Sequence, residues 1–158
     1  MSHPIVLYDG ICGLCNRLVQ FILQRDPEGV FRFAALQSPL AQRTLAQHGA
    51  GSPELGTTYV VVDHDLPEEK LITRSDTVIF VLQQLAAAGG PRSATWRFTA
   101  FLLRLVPRPF RDFGYNLVAR HRYRIFGRYD ACPPPTPDTR ARFLDANKED
   151  ANKQDANK

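Results

Sequence analysis

A strand-to-helix junction near the N-terminus decides the fold, and it reads Ile5-Val6-Leu7-Tyr8-Asp9-Gly10-Ile11-Cys12-Gly13-Leu14-Cys15. The first four residues form a short apolar run, which is typical of a buried strand. From Gly13 onward the apolar residues recur at helical spacing until Asp26-Pro27, where proline ends a helix. Two of the three cysteines of the 158-residue chain therefore lie at one junction, three positions apart.

The residues after the first helix predict a βαβ unit and a second helix. The stretch 30–34 has the composition of a strand, and two strands joined through a helix are expected to be parallel. A helix is predicted over 38–48, because Ser38 is a good N-cap and Pro39 suits the first turn.

A hairpin and a third helix complete the predicted core. The β-branched stretch 57–63 predicts a strand, and Lys70–Thr73 is its expected hairpin partner. Ser75 is the expected N-cap of a helix that ends at Gly89-Gly90-Pro91. The predicted order is thus β-α-β-α-β-β-α over residues 1–91.

The rest of the chain predicts a helical extension and a tail. Residues 92–144 form an arginine-rich extension, which is expected to pack on the core as part of the same domain. Its first helix, over 94–106, is apolar and expected to pack inward, with a surface that faces a partner as the alternative. A second helix is expected over 110–125. The stretch 145–158 repeats Asp-Ala-Asn-Lys at a period of five, which matches no helical face and predicts disorder.

Composition indicates a single globular domain in a reducing compartment. The chain is 44% hydrophobic and 23% charged, as in ordinary globular proteins. An odd number of cysteines does not build the disulfide framework of a small secreted domain, and no signal peptide is evident at the N-terminus. A cytoplasmic location is therefore expected. No membrane span is expected either, because the apolar stretch 98–106 is short and contains Arg104.

The net charge of +4 is concentrated in the extension, where residues 92–142 contain eleven arginines and three aspartates. Within it, residues 120–128 mix cations with aromatic residues, a composition that also occurs in nucleic-acid binding. No recognised nucleic-acid motif accompanies it. We therefore interpret this stretch as a solvated helix face with Tyr123 and Phe126 packed inward, and expect no nucleic-acid partner.

The cysteine pair predicts reversible disulfide chemistry. A thiolate is the attacking species, and a helix N-terminus stabilises it through the helix dipole and unpaired backbone N–H groups. Cys12 occupies that position, so it is the expected nucleophile. Cys15, one turn further in and expected to be less exposed, is placed to resolve the mixed disulfide by attacking Cys12.

Asp9 precedes the pair and has three open interpretations. Its carboxylate is placed to take the proton of Cys15 during resolution. Its negative charge is equally expected to raise the pKa of both thiols by repulsion and so to make the pair more reducing. Alternatively it satisfies N–H groups of the turn, a common use of aspartate. Gly10 and Gly13 are expected to leave room for a close approach at the turn.

The pattern Asp9, Cys12 and Cys15 resembles the signature of the DCC family of predicted thiol–disulfide oxidoreductases. The resemblance extends over most of residues 4–144. It also includes Tyr8-Asp9-Gly10, Arg74-Ser75-Asp76 and the run Arg122-Tyr123-Arg124-Ile125-Phe126-Gly127. It implies a thioredoxin-like fold with disulfide reductase chemistry, and it leaves the physiological substrate undefined.

Thioredoxin-like proteins place a cis-proline before the strand that faces their cysteines, and this chain lacks a proline at that position. Thr57 or Thr58 is expected to face the thiols instead. The other expected substrate contacts are Tyr8, Gly10, Arg74 and Ser75, all of which lie at strand-to-helix turns. Arg74 is the candidate for binding an anionic group or lowering a thiol pKa.

A zinc site is the main rival interpretation of the two thiols, and it is disfavoured because a second cysteine pair is missing. Cys132 is interpreted as a small residue before a proline-rich stretch, with a third redox thiol as the alternative. The sequence thus predicts a protein-disulfide reductase that needs no metal or bound cofactor. Its expected partners are a disulfide-containing protein or small-molecule thiol substrate and an upstream dithiol reductant. The alternative function is a non-catalytic, thioredoxin-like binding module whose basic extension docks a partner and whose thiols only regulate that binding.

Overall fold

The computed structural model describes residues 3–50, 58–64, 68–90, 92–130 and 135–145. In these ranges the strands are β1 (Ile5–Tyr8), β2 (Arg32–Ala35), β3 (Tyr59–Val62) and β4 (Lys70–Thr73). The helices are α1 (Gly13–Arg25), α2 (Pro39–Gln47), α3 (Ser75–Ala87), α4 (Ser93–Leu105) and α5 (Arg108–Phe126), followed by a short 3-10 helix, Arg140–Arg142. The order β-α-β-α-β-β-α with a helical extension agrees with the predicted architecture.

The four strands form one mixed sheet in the order β2-β1-β3-β4. Strands β1 and β2 are parallel, with Ile5 opposite Arg32 and Tyr8 opposite Ala35. Strand β3 runs antiparallel to both β1 and β4. The predicted parallel βαβ unit and the predicted hairpin are both confirmed, and the mixed sheet with its helices is consistent with a thioredoxin-like α/β fold.

Both faces of the sheet are covered, which explains why its two central strands, β1 and β3, are apolar along their whole length. Along β1 the side chains alternate between two core clusters, because successive residues of a strand point to opposite faces. Val6 and Tyr8 pack on the side of α1 and α3, whereas Ile5 and Leu7 pack on the side of α2. Cys12 and Cys15 belong to the first of these clusters.

Strand β2 begins at Arg32, two residues later than the sequence pattern predicts. The cause is the buried Asp26, whose carboxylate accepts the backbone N–H groups of Val30 at 2.9 Å and Phe31 at 3.0 Å. These bonds hold the two residues in the loop. Strand β3 likewise begins at Tyr59.

The prediction that Ser75 caps α3 is wrong. The N-cap position is Arg74, in the left-handed region at φ 56°, and Ser75 is the first helical residue. Two groups of Ser75 donate to Asp112 Oδ1: the side-chain hydroxyl at 2.5 Å and the backbone amide at 3.4 Å. An acid from α5 therefore satisfies the start of α3 in place of a local cap.

The prediction that the apolar helix of the extension packs into the core is wrong for most of its large side chains. Phe98, Phe101 and Leu105 of α4 are 62%, 58% and 64% exposed, whereas Ala100 is buried. The reason is that α1 and α3 already cover the nearby face of the sheet, so α4 packs on the outside of α3. No helix in the described part of the chain is long and apolar enough to cross a membrane.

The end of the described chain packs along β2, which is an edge strand. The ring of Phe143 stacks on Phe33 with centroids 5.3 Å apart, and the Leu144 amide donates to the Phe33 carbonyl at 2.9 Å. The Asp145 carboxylate accepts the amide of Ala35 at 2.7 Å. The disorder predicted for 145–158 is wrong for Asp145, which this hydrogen bond holds against β2, and the rest of the tail lies outside the described residues.

Candidate active site

Cys12 is the N-cap residue of α1, as the sequence predicts. Its backbone is extended, with φ −88° and ψ 122°, and its sulfur accepts the N–H of Cys15 at 3.4 Å. A side chain in this position normally satisfies an unpaired N–H of the first turn with an oxygen atom. Here a sulfur does so, and a negative charge on that sulfur is stabilised by the same N–H groups.

The pKa values of the two thiols are shifted in opposite directions. A hydrogen bond from the Cys15 thiol lowers the pKa of Cys12 to about 6 against the effect of burial, and the backbone N–H groups and the charge of Arg122 also lower it. The pKa of Cys15 is raised, because that hydrogen bond holds its proton and because burial and the Cys12 charge oppose ionisation. At neutral pH the pair therefore holds one proton, on Cys15.

The prediction that Cys15 is the less exposed cysteine is wrong. Cys12 is 0% exposed and Cys15 is 5% exposed. The segment after α5 covers Cys12, since Arg128 forms an isolated antiparallel bridge with it. The amide of Tyr129 also donates to the Ile11 carbonyl at 2.8 Å. This covering segment is distant in sequence, so the local pattern contains no sign of it.

Gly13 allows the end of α5 to lie directly against the start of α1. A Cβ atom on Gly13 would lie 2.1 Å from the carbonyl oxygen of Phe126, closer than real Cβ contacts. The Gly13 amide donates to the carbonyl of Gly127 at 3.2 Å. The close approach predicted at Gly13 is thus confirmed, and the group that approaches is the backbone at the end of α5.

Arg122 of α5 is the cation beside the thiols. It is 1% exposed, its Nη1 donates to Cys15 Sγ at 3.4 Å, and its Nη2 donates to Asp9 Oδ2 at 2.6 Å. The interpretation of residues 120–128 as a solvated helix face is therefore wrong for this residue. Tyr123 packs against the core as predicted, and its hydroxyl donates to the same Asp9 oxygen at 2.5 Å.

The buried carboxylate of Asp9 accepts four hydrogen bonds. Oδ1 accepts the amide of Ile11 at 3.2 Å and Nε2 of Gln37 at 2.9 Å, and Oδ2 accepts from Arg122 and Tyr123. The predicted role in satisfying the turn is confirmed by the bond from Ile11. Four bonds match the number of lone-pair sites of a carboxylate. Asp9 thus connects three parts of the chain beside the thiols: the turn before α1, the loop after β2 and helix α5.

A cleft of about 340 Å³ opens beside Cys15, between α1, α3, α4 and α5. Its walls are mainly apolar and include Leu14, Leu18, Val78, Ile79, Leu103 and Val118. Its polar lining residues are Cys15, Thr58, Ser75, Arg111, Tyr115 and Arg122. Two of the predicted substrate contacts, Thr58 and Ser75, are thereby brought to the same cleft as a thiol.

The other predicted substrate contacts do not line this cleft. Tyr8 is buried in the core, where its ring meets Phe143 edge to face. Gly10 lies in the turn, where its amide donates to Gln37 Oε1 at 3.3 Å. Arg74 lies at the start of α3, and its positive charge helps to lower the pKa of Asp112.

Four sequence-based predictions remain, on Thr57, on Cys132, on the missing cis-proline and on a metal site. Thr57 and Cys132 lie outside the described residues. In the described ranges there is no cis peptide bond, and no three His, Cys, Asp or Glu side chains are grouped so as to hold a metal ion.

Sequence reasoning missed Arg122 as a site residue. A signal was present in its spacing, since Tyr115, Ala119 and Arg122 lie four and three residues apart and so share one face of α5. All three line the cleft. Gln37 and Asp112 carried no comparable signal, because each acts through a contact with a distant element.

Comparisons with known proteins point to one family. Residues 6–128 match the family model of the DCC1-like thiol-disulfide oxidoreductases. The chain is 36% identical over 145 residues to the uncharacterized protein YuxK of Bacillus subtilis (strain 168), which covers 91% of this chain and 96% of that protein. It is 33% identical over 131 residues to the DCC family protein At1g52590, chloroplastic, of Arabidopsis thaliana, which covers 83% of this chain and 69% of that protein. No solved structure matches the chain.

Proposed function

The chain belongs to the DCC1-like thiol-disulfide oxidoreductase family, and from this premise we propose that Cys12 and Cys15 reduce disulfides by thiol–disulfide exchange. The main support is the difference between the two thiols at the start of α1, where Cys15 keeps its proton and donates it in a hydrogen bond to the Cys12 sulfur. The low pKa of Cys12, about 6, keeps this sulfur ionised at neutral pH, which is the form that attacks a disulfide.

The proposed reaction has two exchanges. The Cys12 thiolate attacks one sulfur of the substrate disulfide, forms a mixed disulfide and releases the first substrate thiolate, which takes up the Cys15 proton. Cys15 then attacks the Cys12 sulfur, forms the Cys12–Cys15 disulfide and releases the second substrate thiolate. Two electrons pass from the protein to the substrate, and an upstream dithiol returns them.

Arg122 is proposed to stabilise the sulfur charge during both steps. Its Nη1 already contacts Cys15 Sγ at 3.4 Å, so a charge on either sulfur lies near the guanidinium group. Asp9 is proposed to act as a positioning residue that holds Arg122. Its four accepted hydrogen bonds leave no lone pair for the Cys15 proton, so we do not assign proton transfer to it.

The covered position of Cys12 indicates how the substrate arrives. Cys12 is 0% exposed, whereas Cys15 lines the cleft and donates a hydrogen bond to the Cys12 sulfur. We propose that the substrate enters the cleft and reaches Cys12 when the Cys15 side chain rotates away. A reducing, cytoplasmic setting is proposed for this chemistry, because an odd number of cysteines suits free thiols.

Trapping of the mixed disulfide tests the proposal. In the full chain, Cys15→Ser removes the resolving thiol, so a disulfide-linked peptide is expected to remain bound to Cys12, as detected by mass spectrometry. Cys12→Ser is expected to trap less than a tenth as much. A trap on Cys15 in the Cys12→Ser protein, with none on Cys12 in the other variant, would reverse the roles. If neither variant forms a trapped mixed disulfide and the wild-type protein does not reduce disulfides, the proposed enzyme activity is refuted.

The alternative function is a binding module with redox-regulated thiols, and the exposed face of the extension favours it. Phe98, Phe101 and Leu105 on α4, with Phe110 and Phe113 on α5, are each more than half exposed. The surrounding segment, 92–142, is rich in arginine, so its partner would be an acidic protein surface.

Turnover separates the two functions. A binding module is expected to show no disulfide reductase activity, and to lose its partner when Phe98→Ser and Phe110→Ser are combined. A wild-type protein that reduces disulfides repeatedly, with an unchanged rate in this double variant, would exclude the alternative.

A further inference from the structure

The cleft beside Cys15 combines apolar walls with two arginine side chains, Arg111 and Arg122. Half of its fourteen lining residues have aliphatic side chains, so an apolar group that binds there is removed from water. Its volume of about 340 Å³ lies at the small end of ligand-binding pockets. Gly114 of α5 lies in the wall, and a Cβ added there would meet no atom within 4 Å. The space is therefore suited to a small apolar group.

Two arginines in the lining have a nitrogen without an acceptor. Nε of Arg111 and Nε of Arg122 are buried, and neither makes a hydrogen bond within the described chain. The Arg111 side chain is 12% exposed and that of Arg122 is 2% exposed, so solvent has little access to either. Because both nitrogen atoms are buried, an acceptor placed in the cleft does not reach either of them, and they do not select a hydrogen-bonding ligand.

The charges of the two arginines are already balanced. Arg111 pairs with Asp76 at 3.1 Å, and Arg122 pairs with Asp9 at 2.6 Å. A second anion in the cleft would therefore gain little net attraction, and it would lose its hydration against apolar walls. A neutral group therefore suits the cleft better than an anion does.

We propose that the cleft is the specificity site of the enzyme, and that it binds an uncharged apolar group next to the reacting disulfide. This rests on the proposed function, because Cys15 and Arg122 contribute both to the cleft and to the thiol site. The group comes either from a peptide side chain beside a cysteine or from a small-molecule disulfide. Both sources share the chemistry that the cleft recognises.

Matched disulfides test the preference. N,N′-dibenzoylcystamine and N,N′-diacetylcystamine have the same disulfide and the same amide carbonyls, and they differ in a phenyl against a methyl group. Burial of the phenyl is expected to raise kcat/KM of the benzoyl compound roughly tenfold or more. The oxidised dimers of Ac-Phe-Cys-amide and Ac-Ser-Cys-amide test the peptide source in the same way. A peptide preference alone indicates a protein substrate, and a cystamine preference alone a small molecule. Equal kcat/KM within both pairs would overturn the inference and leave the reductase standing.

A cleft-filling variant links the preference to this site. Gly114→Leu places a side chain in the cleft, and it is expected to reduce the benzoyl-to-acetyl ratio of kcat/KM to about one. The matched control is Ala94→Leu on the exposed surface of α4, which is expected to keep the wild-type ratio. A ratio that Gly114→Leu leaves unchanged would show that another surface makes the selection.

Direct binding tests the cleft even if no disulfide is reduced. S-methyl-N-benzoylcysteamine has no disulfide, so its binding, measured by calorimetry, does not depend on turnover. Wild type is expected to bind it at least tenfold more tightly than Gly114→Leu does. Equal affinity of the two proteins, or no binding to either, would overturn the inference, whereas absent turnover with selective binding would refute only the proposed reaction.

Discussion

Two identical side chains, Cys12 and Cys15, acquire different chemistry because one is the N-cap of α1 and the other lies in its first turn. Cys12 caps the helix, where its sulfur accepts the Cys15 N–H and a hydrogen bond from the Cys15 thiol. Cys15 lies inside the first turn, so it is the donor of the pair. The asymmetry therefore follows from helix geometry, and Arg122 strengthens it by adding a positive charge.

The pH dependence of Cys12 alkylation is the first prediction. The pKa of Cys12 is lowered to about 6, so its thiolate is present above that pH and is lost as the pH falls through it. The rate of reaction with iodoacetamide, followed by peptide mass spectrometry on the reduced protein, is expected to reach half its plateau near pH 6. In Cys15→Ala the donated hydrogen bond is absent, so the midpoint is expected to rise by more than one pH unit, about tenfold in thiolate fraction.

Cys15→Ser provides the matched control, because its hydroxyl is still able to donate to the Cys12 sulfur. Its midpoint is expected to lie between those of wild type and Cys15→Ala. If all three proteins titrate near the free-thiol pKa of about 8.5, the Cys15 hydrogen bond does not activate Cys12.

Helix α5 is the element that assembles the site. Asp112 near its start satisfies the N-terminus of α3, and Arg122 near its end pairs with Asp9. Its last residue, Phe126, lies against Gly13 at the start of α1. One helix thus connects the thiol turn, the cleft and α3.

Gly13→Ala tests the contact between α5 and α1. The added Cβ would lie 2.1 Å from the Phe126 carbonyl oxygen, so backbone must move. Such overpacking is expected to lower the free energy of unfolding by about 1–3 kcal/mol, measured by urea denaturation.

Gly114→Ala is the control for Gly13→Ala, because it adds the same methyl group to a helix where nothing lies within 4 Å. It is expected to leave stability unchanged or to raise it by up to about 1 kcal/mol, through helix propensity. Equal effects of the two substitutions would show that the close approach at Gly13 has no energetic consequence.

At the scale of elements, sequence patterns located every helix and strand of the core, but they misjudged contacts between elements. The N-cap of α3 was predicted at Ser75 because serine is a common local cap. The acid that satisfies this helix start comes from α5, 37 residues away, and local patterns do not contain such a partner. The exposure of Phe98 on α4 has the same origin, since it depends on which faces other helices already cover.

The whole molecule closes around the edge strand β2. The segment Phe143–Asp145 lies along this strand, where a free edge would otherwise invite pairing with another chain. Arg142 adds an ion pair with the buried Asp26 at 3.4 Å. The end of the extension is therefore part of the core, although it follows β2 by more than a hundred residues.

Phe143→Ala tests this closure. The side chain is 5% exposed and stacks on Phe33, so its removal is expected to lower the free energy of unfolding by about 3–5 kcal/mol in urea denaturation. Deletion of residues 146–158, which composition predicts to be disordered, is expected to leave the stability unchanged. A deletion that destabilises the protein as much as Phe143→Ala would place the stabilising contacts in the tail.

Local patterns in the sequence are enough to predict the βαβ unit, the hairpin and the position of Cys12 at the start of a helix. These features depend on spacing, proline and capping, which act over a few residues. The burial of Cys12, the buried cation Arg122 and the cleft beside Cys15 depend instead on how distant elements pack together. The bond between Arg122 and Asp9 joins residues 113 positions apart, so it exists only once the helices have packed on the sheet.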